Sequence, residues 1–471
     1  MDSKKPPLGE VFSPRGVAVV GASPTRNTQF VEGLIAAGFP AIYPVNPNYA
    51  EVLGLKCYPS LRDIPGVVDH VIVTIPAESV LALLDDCIAK GIQSVHFFTA
   101  GFSESGDKER AQLEKAMLAK ARAGGFRIFG PNCMGIFVPK NRLCHVVYSP
   151  RLEPGTIAFL SQSGGHTHDL PHLTRARGLK FSKLVSFGNA LDVDESELLD
   201  YFAGDPDTEI IGAYLEGVKD GRRFLNALKK AAAVKPVVLY KGGTTEAGKR
   251  ATHGHTASLT SSVAVFNSLC RQTHCIQVDD LDELVDAIVA LRFTKPIPRG
   301  KGVAVVGTGG GATVMASDEM EKAGLYLPPV PPQIGPELRE YLPLAGSIIG
   351  NPIDARALLT RPGILAILGW LGKRPDIDMF VYHLGFHPAT RWGRHPLATM
   401  KECAVALGEV QRQTGKPVLI AMRFPVDLKG MESFLETQQA FVEAGFPVFH
   451  SLHKLALATA RVIDWQQNRD G

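Results

Sequence analysis

The sequence predicts an α/β protein built from three doubly wound units. Short runs of β-branched and apolar residues end in glycine or proline, as the loops of α/β proteins require. Helical stretches separate these runs, and the same alternation starts again twice along the chain. A length of 471 residues suits about three domains, and 45% hydrophobic residues can supply three cores.

The first unit contains five buried runs that predict parallel strands. They are 16–23, 41–47, 68–76, 94–102 and 126–132, with helices at 31–37 and 79–90 between them. Parallel strands need helical crossovers, and ligands of such sheets bind beyond the carboxyl ends of the strands. We therefore expect the residues that follow these strands to form a binding site.

The second and third units repeat this pattern. The second begins at Gly155 and ends in a helix at 281–293, after which the Pro/Gly/basic stretch 294–302 predicts a boundary. The third starts with strand 303–306, a glycine loop at 307–311 and a helix through Glu321. The further predicted strands are 156–161, 183–187, 209–215 and 236–240 in the second unit, and 379–383, 417–422 and 447–450 in the third.

The composition excludes several classes of protein. Charged residues are only 21% of the chain, with 50 Lys+Arg against 47 Asp+Glu, so neither a nucleic-acid nor a membrane partner is expected. The N-terminal MDSKKPPLG lacks an apolar stretch behind its lysines, which argues against a secretory signal and favours the cytoplasm. Seven scattered cysteines without a C-x-x-C pair argue against a disulfide framework and a structural zinc. We expect no metal ligands in this chain.

The first strand ends in Gly21-Ala22-Ser23, a turn that can present backbone N–H groups to a phosphate. A dinucleotide site would have G-x-G-x-x-G here and a carboxylate after the second strand. The next glycine is Gly33, and the second strand ends in Asn46-Pro47. An NAD-dependent oxidoreductase is therefore the weaker alternative, and Gly21 as a simple tight turn is another.

Two further segments of the second unit could carry chemistry. Ser161 to Gly165, SQSGG, follows a strand and could hold an anion at a helix N-terminus, or could be an ordinary N-cap. The stretch 241–260 predicts a long loop with His253 and His255, which are either surface residues or phosphoryl carriers. Glu216, at the end of the third strand, could orient such an imidazole, since strand ends converge at one edge.

Taken in order, these residues resemble the NDP-forming acyl-CoA synthetases, relatives of succinyl-CoA synthetase. The likeness is to the α subunit of the ADP-forming acetyl-CoA synthetase type and runs from about Val11 to Arg461. The matching segments are GAS at 21–23, YPVNP at 43–47, AGF at 100–102, GPNC at 130–133, SQSGG at 161–165, YLEG at 214–217 and GHTASL at 254–259.

The resemblance implies a domain order and a reaction. A Rossmann-like CoA-binding domain is expected at 8–145, a flavodoxin-like ligase domain with a phosphohistidine loop at 150–296, and a second flavodoxin-like domain at 301–465. The family converts acid, CoA and ATP to acyl-CoA, ADP and phosphate, reversibly, through acyl phosphate and phosphohistidine. It implies His255 as the phosphorylated residue, Glu216 as the residue that holds its ring, and Ser163, Gly164 and Gly165 as the phosphate-binding loop. The implied CoA-binding residues are Gly21, Ser23, Asn46, Pro47, Ile75, Pro76, Thr99 and Ala100.

The departures from the family pattern define what the sequence leaves open. Gly254 replaces the usual serine before His255, which leaves His253 as an alternative nucleophile and leaves a non-catalytic CoA or acyl-CoA sensor as the alternative function. We expect the glycine-rich stretch 241–248 to act as a hinge, and a rigid helix there would oppose the mechanism. Neither a G-x-x-x-x-G-K-[ST] loop nor an ATP-grasp segment is found. A separate ATP-grasp β subunit that holds ATP or ADP and Mg²⁺, in a hetero-oligomer, is therefore expected, and the carboxylic acid substrate stays open.

Overall fold

The computed structural model describes residues 5–145, 152–256, 262–331, 336–343, 347–385, 396–425 and 428–470. Within these ranges the side chains of 253–256, 336–337, 428–429 and 470 are not described. The described residues form two compact units. The first comprises Met1–Leu173 with Lys180–Val278, and the second comprises Thr174–Leu179 with Asp279–Gly471.

The first unit begins with a parallel five-stranded sheet. Its strands are β1 (Val17–Val20), β2 (Ile42–Val45), β5 (His70–Val73), β6 (Ser94–Phe97) and β7 (Arg127–Phe129), and β3 (Glu51–Val52) and β4 (Leu55–Lys56) form a separate hairpin. The helices are α1 (Leu8–Val11), α2 (Gln29–Ala37), α3 (Val80–Lys90) and α4 (Lys108–Gly124). The strand order is β2-β1-β5-β6-β7.

A second sheet completes this unit. Its strands are β8 (Ile136–Phe137), β9 (Pro154–Ser161), β10 (Phe181–Ser186), β11 (Ile210–Leu215), β12 (Val237–Lys241) and β13 (Ile276–Val278). The helices are α5 (Gly164–Thr174), α6 (Glu195–Gly204), α7 (Gly221–Val234), α8 (Glu246–Thr256) and α9 (Val263–Thr273). The order is β13-β12-β11-β9-β10-β8, and only the edge strand β8 pairs antiparallel.

The second unit holds the third sheet. Its strands are β14 (Val303–Gly307), β15 (Ile353–Asp354), β16 (Met379–Leu384), β17 (Val418–Met422) and β18 (Val448–Phe449), in the order β15-β14-β16-β17-β18. The helices are α10 (Leu281–Phe293), α11 (Gly310–Lys322), α12 (Pro336–Arg339), α13 (Arg361–Gly372), α14 (Leu397–Thr414), α15 (Leu428–Glu443) and α16 (Leu452–Asp470).

All three sheets share one strand order. When the parallel strands of each sheet are numbered from its own start, every sheet reads 2-1-3-4-5, the flavodoxin-like order. The predicted α/β, doubly wound class is therefore confirmed. In this order the crossovers diverge between the first and third strands, so the crevice for ligands lies between β1 and β5 in the first sheet and between β9 and β11 in the second.

Alternating burial explains why these runs form central strands. Val17 and Val19 of β1 face one hydrophobic core, while Ala18 and Val20 face another on the opposite side of the sheet. The first of these cores continues into the second sheet, whereas the third sheet has a core of its own. Four helices are capped by aspartate side chains that accept from backbone N–H groups of the first turn: Asp107, Asp194, Asp220 and Asp280.

The compact units do not follow the expected domain bounds. The stretch 294–302 lies inside the second unit, because α10, expected to close the second domain, packs against α16 instead. Likewise β8, whose residues fall within the first expected domain at 8–145, pairs with β10 of the second sheet. The three domains at 8–145, 150–296 and 301–465 stay a prediction, and the short strands β8, β13 and β15 were not predicted. Of the helices that the structure describes, none is long and apolar enough to cross a membrane.

Three buried histidines, His70, His96 and His145, lie together in the first unit. The His70 and His96 rings are 6.3 Å apart between centroids, and the His96 and His145 rings are 5.1 Å apart. His96 donates from Nε2 to the carbonyl oxygen of Cys133 at 2.9 Å, and His70 Nδ1 lies 2.8 Å from Ser94 Oγ. Burial lowers the pKa of His70 to about 3, that of His145 to about 4, and that of His96 well below its usual range.

Because these histidines are buried and neutral, we expect the first unit to lose stability in acid. Their pKa values when folded lie below the unfolded value near 6.5, so the unfolded chain binds more protons as the pH falls below 6.5. We expect the free energy of unfolding at pH 5 to be lower than at pH 7.5 by roughly 2 kcal/mol per histidine. Hydrogen exchange of the β5 and β6 amides measures it, and His145→Phe should flatten the pH dependence. An unchanged pH dependence in this variant would contradict the assignment.

Candidate functional site

Gly21 forms a tight turn at the end of β1. Its φ is +89°, a backbone conformation that favours glycine, and its N–H donates to the carbonyl oxygen of Val45 at 2.9 Å. A Cβ atom here would lie 2.6 Å from Thr74 Oγ1 and 3.0 Å from Ile75 Cγ2. The missing side chain therefore lets the loops after β1 and β5 approach each other closely.

Asn46 joins the loops after β1 and β2. Its Nδ2 donates to the carbonyl oxygen of Ala22 at 2.8 Å, and its Oδ1 accepts from the N–H of Asn48 at 3.0 Å. A cleft of about 460 Å³ opens beside these loops, at the carboxyl edge of the sheet. Gly21, Asn46, Pro47 and Ile75 all line it.

The other four expected CoA-binding residues are not among those lining this cleft. Ser23 Oγ instead accepts from the N–H groups of Thr25 and Arg26, at 3.2 and 3.3 Å, and so organises its own turn. Thr99 donates from Oγ1 to the carbonyl oxygen of Ile75 at 2.7 Å, which places the loop after β6 beside the loop after β5. Pro76 and Ala100 are the immediate neighbours of these contacts. The first sheet thus brings half of the expected set together in one cleft.

Ser163 caps helix α5 at the carboxyl edge of the second sheet. Its Oγ accepts from the N–H of His166 at 3.4 Å, and its carbonyl oxygen accepts from Thr167 Oγ1 at 3.0 Å. Gly164 approaches Met134, since a Cβ would lie 2.9 Å from Met134 Cγ, while Gly165 is exposed and a Cβ there would meet only Ser163 Oγ, at 3.8 Å. The first turn of α5 is therefore accessible, and an anion would be stabilised there by the helix dipole.

Glu216 lies beside this helix opening because Gln162 holds both segments. Gln162 Oε1 accepts from the N–H of Glu216 and, at 3.0 Å, from that of Gly217. Tyr214 donates from its hydroxyl to Glu216 Oε1 at 3.1 Å, and Lys241 donates from Nζ to the carbonyl oxygen of Glu216 at 2.6 Å. Glu216 is only 2% exposed. The structure thus brings Glu216, Ser163 and Gly164 to one edge of the sheet.

The charges around Glu216 suit a fixed carboxylate. Burial, together with the charge of Glu216, raises the pKa of Tyr214, so this hydroxyl remains a donor. Burial lowers the pKa of Lys241, although the charge of Glu216 opposes that effect. The His166 ring meets Tyr214 edge-on, with 4.4 Å between centroids. An imidazole ring that enters this place would meet an acceptor, a helix N-terminus and aromatic walls.

The sequence predicts no role for Gln162 or Tyr214, and it places Lys241 at the start of the expected hinge, whereas Lys241 ends β12. For Gln162 and Tyr214, the sequence does contain a signal that could have indicated a place at the site. Gln162 stands inside the SQSGG segment, and Tyr214 lies two residues before Glu216, on the same face of a strand with period two. Lys241 ends β12 without a motif, so only the fold places it here.

The expected long loop at 241–260 is wrong over much of its length. Residues 246–256 form helix α8, because Thr245 Oγ1 accepts from the N–H of Gly248 at 3.1 Å and so caps the helix. Gly248, expected in the hinge, therefore lies in a helix, and Gly242 and Gly243 remain before it. The side chains of His253 and His255 lie outside the described residues.

Helix α8 lies against the Ser103–Ser105 turn, which follows the loop after β6. This contact brings the helix that carries residues 253 and 255 close to the first sheet. Among the described residues, no group of three His, Cys, Asp or Glu could hold a metal ion. All seven cysteines are free thiols in the structure.

Two family models match this chain. Residues 15–139 match a CoA binding domain, and residues 154–291 match a succinyl-CoA ligase like flavodoxin domain. The CoA-binding match covers the first sheet with its cleft, and the ligase match covers β9 to β13 with Ser163 and Glu216.

Known relatives are similar over different lengths. The acetate–CoA ligase (ADP-forming) II subunit alpha of Pyrococcus furiosus is 32% identical over 467 residues, which is 98% of this chain and 99% of that relative. The acetate–CoA ligase (ADP-forming) II of Archaeoglobus fulgidus is 37% identical over 74% of this chain, and the match spans 52% of that relative. The solved dinucleotide-forming acetyl-coenzyme A synthetase 1 of Ca. Korarchaeum cryptofilum, in complex with phosphate and ADP, has a TM-score of 0.81 and 30% identity. That similarity covers 98% of this chain and 97% of the solved one.

Proposed function

Because this chain belongs to the ADP-forming acetate–CoA ligase family of acid–thiol ligases, we propose that it is the α subunit of such an enzyme. The overall reaction is acid + CoA + ATP giving acyl-CoA + ADP + phosphate, and it is reversible. His255 takes the γ-phosphoryl group of ATP and releases ADP. A carboxylate then takes this group from the histidine as acyl phosphate, and the CoA thiol displaces phosphate from it.

One observation carries the proposal: Gln162 ties the Glu216 backbone to the segment that opens α5. In the proposed mechanism Glu216 accepts from the ring N–H of His255, which holds the imidazole and favours attack by its other nitrogen. Ser163, Gly164 and Gly165 receive the phosphoryl oxygens at the positive end of the α5 dipole. Both functions need groups that are fixed before the reaction, and the hydrogen bonds around Glu216 supply that fixation.

The cleft at Gly21, Asn46, Pro47 and Ile75 suits the CoA substrate. The turn at Gly21 and the apolar side chain of Ile75 line the same space, and the backbone N–H groups of a turn that follows a strand can bind a phosphate group. In the proposal Ser23, Pro76, Thr99 and Ala100 shape the neighbouring loops. The thioester end then points toward the Ser103–Ser105 turn and α8.

Histidine transfer to a nucleotide requires a second site and a moving element. We assign the nucleotide and Mg²⁺ to an ATP-grasp β subunit in a separate chain. Since α8 takes the place of the expected loop, we propose that the whole helix moves as a rigid body about Gly242 and Gly243. Gly243 has a φ of +69°, a conformation that favours glycine. The acid itself stays open, since one methylene changes discrimination by only about 1–3 kcal/mol.

Labelling tests the proposal. The purified chain, mixed with acetyl-CoA and radiolabelled phosphate, should acquire a label that is acid-labile and base-stable. With its β subunit and γ-labelled ATP it should acquire the same label. Retention of either label in His255→Ala would overturn the assignment.

A CoA or acyl-CoA sensor is the second candidate function. The observation that favours it is helix α8, which includes residues expected to be a flexible hinge. A sensor would bind CoA in calorimetry and take no label from acyl-CoA with phosphate, nor from ATP with the β subunit. The labelling experiment therefore separates the two functions.

Tyr214→Phe should lower kcat for acyl-CoA formation about tenfold, because a hydrogen bond to a charged group contributes roughly 1.5–3 kcal/mol. The KM for CoA should not change, since Tyr214 is not among the residues lining the cleft. Tyr382→Phe is the matched control: this buried tyrosine donates to the carbonyl oxygen of Leu358 at 2.7 Å, in the second unit. Equal kcat losses in the two variants would contradict a role of Tyr214 at Glu216.

A further inference from the structure

Asn189 occupies an unusual place between the two sheets of the first unit. It follows β10, is 4% exposed, and its side-chain Nδ2 donates to two carboxylates, Glu104 Oε2 at 2.6 Å and Glu114 Oε1 at 2.9 Å. Carboxylates only accept hydrogen bonds, so the orientation of this amide is fixed by its neighbours. Its Oδ1 is buried and has no hydrogen-bond partner among the described residues. A buried carbonyl oxygen without a donor lowers the stability of the folded protein. The two hydrogen bonds from Nδ2 to carboxylates offset this cost, which indicates that they matter for the structure.

On one side, Asn189 reaches the loop after β6. The Glu104 carboxylate that accepts from Asn189 also accepts from the backbone N–H of Gly101 at 2.6 Å and of Phe102 at 3.1 Å. Gly101 has a φ of +91° and directly follows Thr99 and Ala100. The shape of the loop expected at the thioester end of CoA thus depends on a carboxylate that Asn189 holds.

On the other side, Asn189 reaches the loop after β11. Lys219 Nζ donates to the carbonyl oxygens of Asn189 and Ala190, at 2.7 and 2.8 Å. Lys219 lies three residues after Glu216, whose own N–H is held by Gln162. Ala190 has a φ of 52°, which an alanine adopts only when its surroundings hold it.

The backbone of this segment is also fixed from the first sheet. The N–H of Asn189 donates to the carbonyl oxygen of Pro131 at 3.1 Å, and that of Leu191 donates to Gly130 at 2.9 Å. A Cβ at Gly188 would collide with the carbonyl oxygens of Pro131 and Asn132. Residues 188–191 therefore cannot shift without moving the loops on both sides.

We propose that Asn189 is a positioning residue that couples the CoA loop after β6 to the Glu216 loop after β11. Hydrogen bonds run from the Gly101 N–H through Glu104 to the side chain of Asn189, and the backbone carbonyl oxygen of the same residue accepts from Lys219. This proposal rests on the proposed function for its catalytic consequence, since Glu216 is the residue that holds His255. Its consequence for CoA binding is independent of the histidine chemistry.

The test uses the full chain with Asn189→Ala and three readouts. By calorimetry, CoA affinity should fall about tenfold, as expected for losing a buried hydrogen bond to a charged group. Labelling from acetyl-CoA and phosphate should slow, whereas labelling from γ-labelled ATP with the β subunit should not change, because that transfer takes place at the nucleotide site of the β subunit, away from both coupled loops. Glu104→Gln, which keeps the size of the side chain, should show the same pattern if Asn189→Ala folds poorly.

Asn141→Ala is the matched control. Asn141 also donates two hydrogen bonds, to the carbonyl oxygen of Phe12 at 2.8 Å and to Ser13 Oγ at 2.9 Å, but it touches neither loop. It should leave all three readouts at the wild-type level. Unchanged CoA affinity in both Asn189→Ala and Glu104→Gln, or an equal loss in Asn141→Ala, would overturn the proposal. Absence of label in the wild-type chain would count against the proposed function, while the calorimetry would still decide the role of Asn189.

Discussion

His255→Asn is expected to reduce acyl-CoA formation from acid, CoA and ATP by about 10⁴-fold or more, the size of effect seen when a covalent carrier is removed. Asparagine cannot take a phosphoryl group, so the transfer between nucleotide and acid loses its intermediate. The rate of ADP release by the chain with its β subunit measures the loss. CoA binding in calorimetry should stay unchanged, because the cleft lies in the first sheet.

His253→Asn is the control for this prediction. The two histidines are two residues apart in α8, and such residues do not share a helix face. We expect His253→Asn to retain turnover near the wild-type value. Full activity in His255→Asn together with inactivity in His253→Asn would assign the carrier role to His253.

Arg127→Met is expected to give the largest loss of stability in the first unit. Arg127 is 3% exposed and donates from Nε to Asp192 Oδ2 at 2.8 Å and from its terminal nitrogens to both Glu197 oxygens, at 2.8 and 2.6 Å. This group joins β7 of the first sheet to α6 beside the second. Removing one partner leaves Asp192 buried without it, and breaking such a buried pair costs about 3–5 kcal/mol.

Thermal unfolding and hydrogen exchange of the β7 amides measure this loss. Lys230→Met is the matched control, because its pair with Asp200 at 2.9 Å is largely exposed. Such a surface pair contributes only about 0–1 kcal/mol. Similar losses in the two variants would show that Arg127 does not stabilise the join between the sheets.

Much of the fold could be predicted because buried parallel strands are continuous apolar runs. The runs at 16–23 and 303–306 became β1 and β14, and the helix predicted at 281–293 has those bounds in the structure. Short edge strands escaped prediction because two or three residues carry no periodicity: β15 is two residues long and β13 three. The place of α10 also could not be predicted, since its packing against α16 depends on residues far along the chain.

The candidate site was predictable where strand ends carry motifs. Glu216 and Ser163 follow neighbouring strands, β11 and β9, and the common edge of a parallel sheet brings them together. The loop at 241–260 misled because its polar, glycine-containing composition hides one N-cap, Thr245, followed by good helix formers. The role of Asn189 could not be predicted from the sequence. Its two acceptors, Glu114 and Glu104, precede it by 75 and 85 positions along the chain.

The short segment Thr174–Leu179 has a practical consequence for dissecting this protein. It belongs to the second unit although its flanks belong to the first, so the polypeptide passes between the units three times. A single protease cut at 278–279, or a gene split there, would leave these six residues on the N-terminal fragment, although they belong to the second unit. The C-terminal fragment would then carry Asp286 without Arg177, its buried partner at 2.5 Å. Expression of the two units as independent proteins therefore requires moving residues 174–179 onto the second unit, which a simple truncation does not achieve.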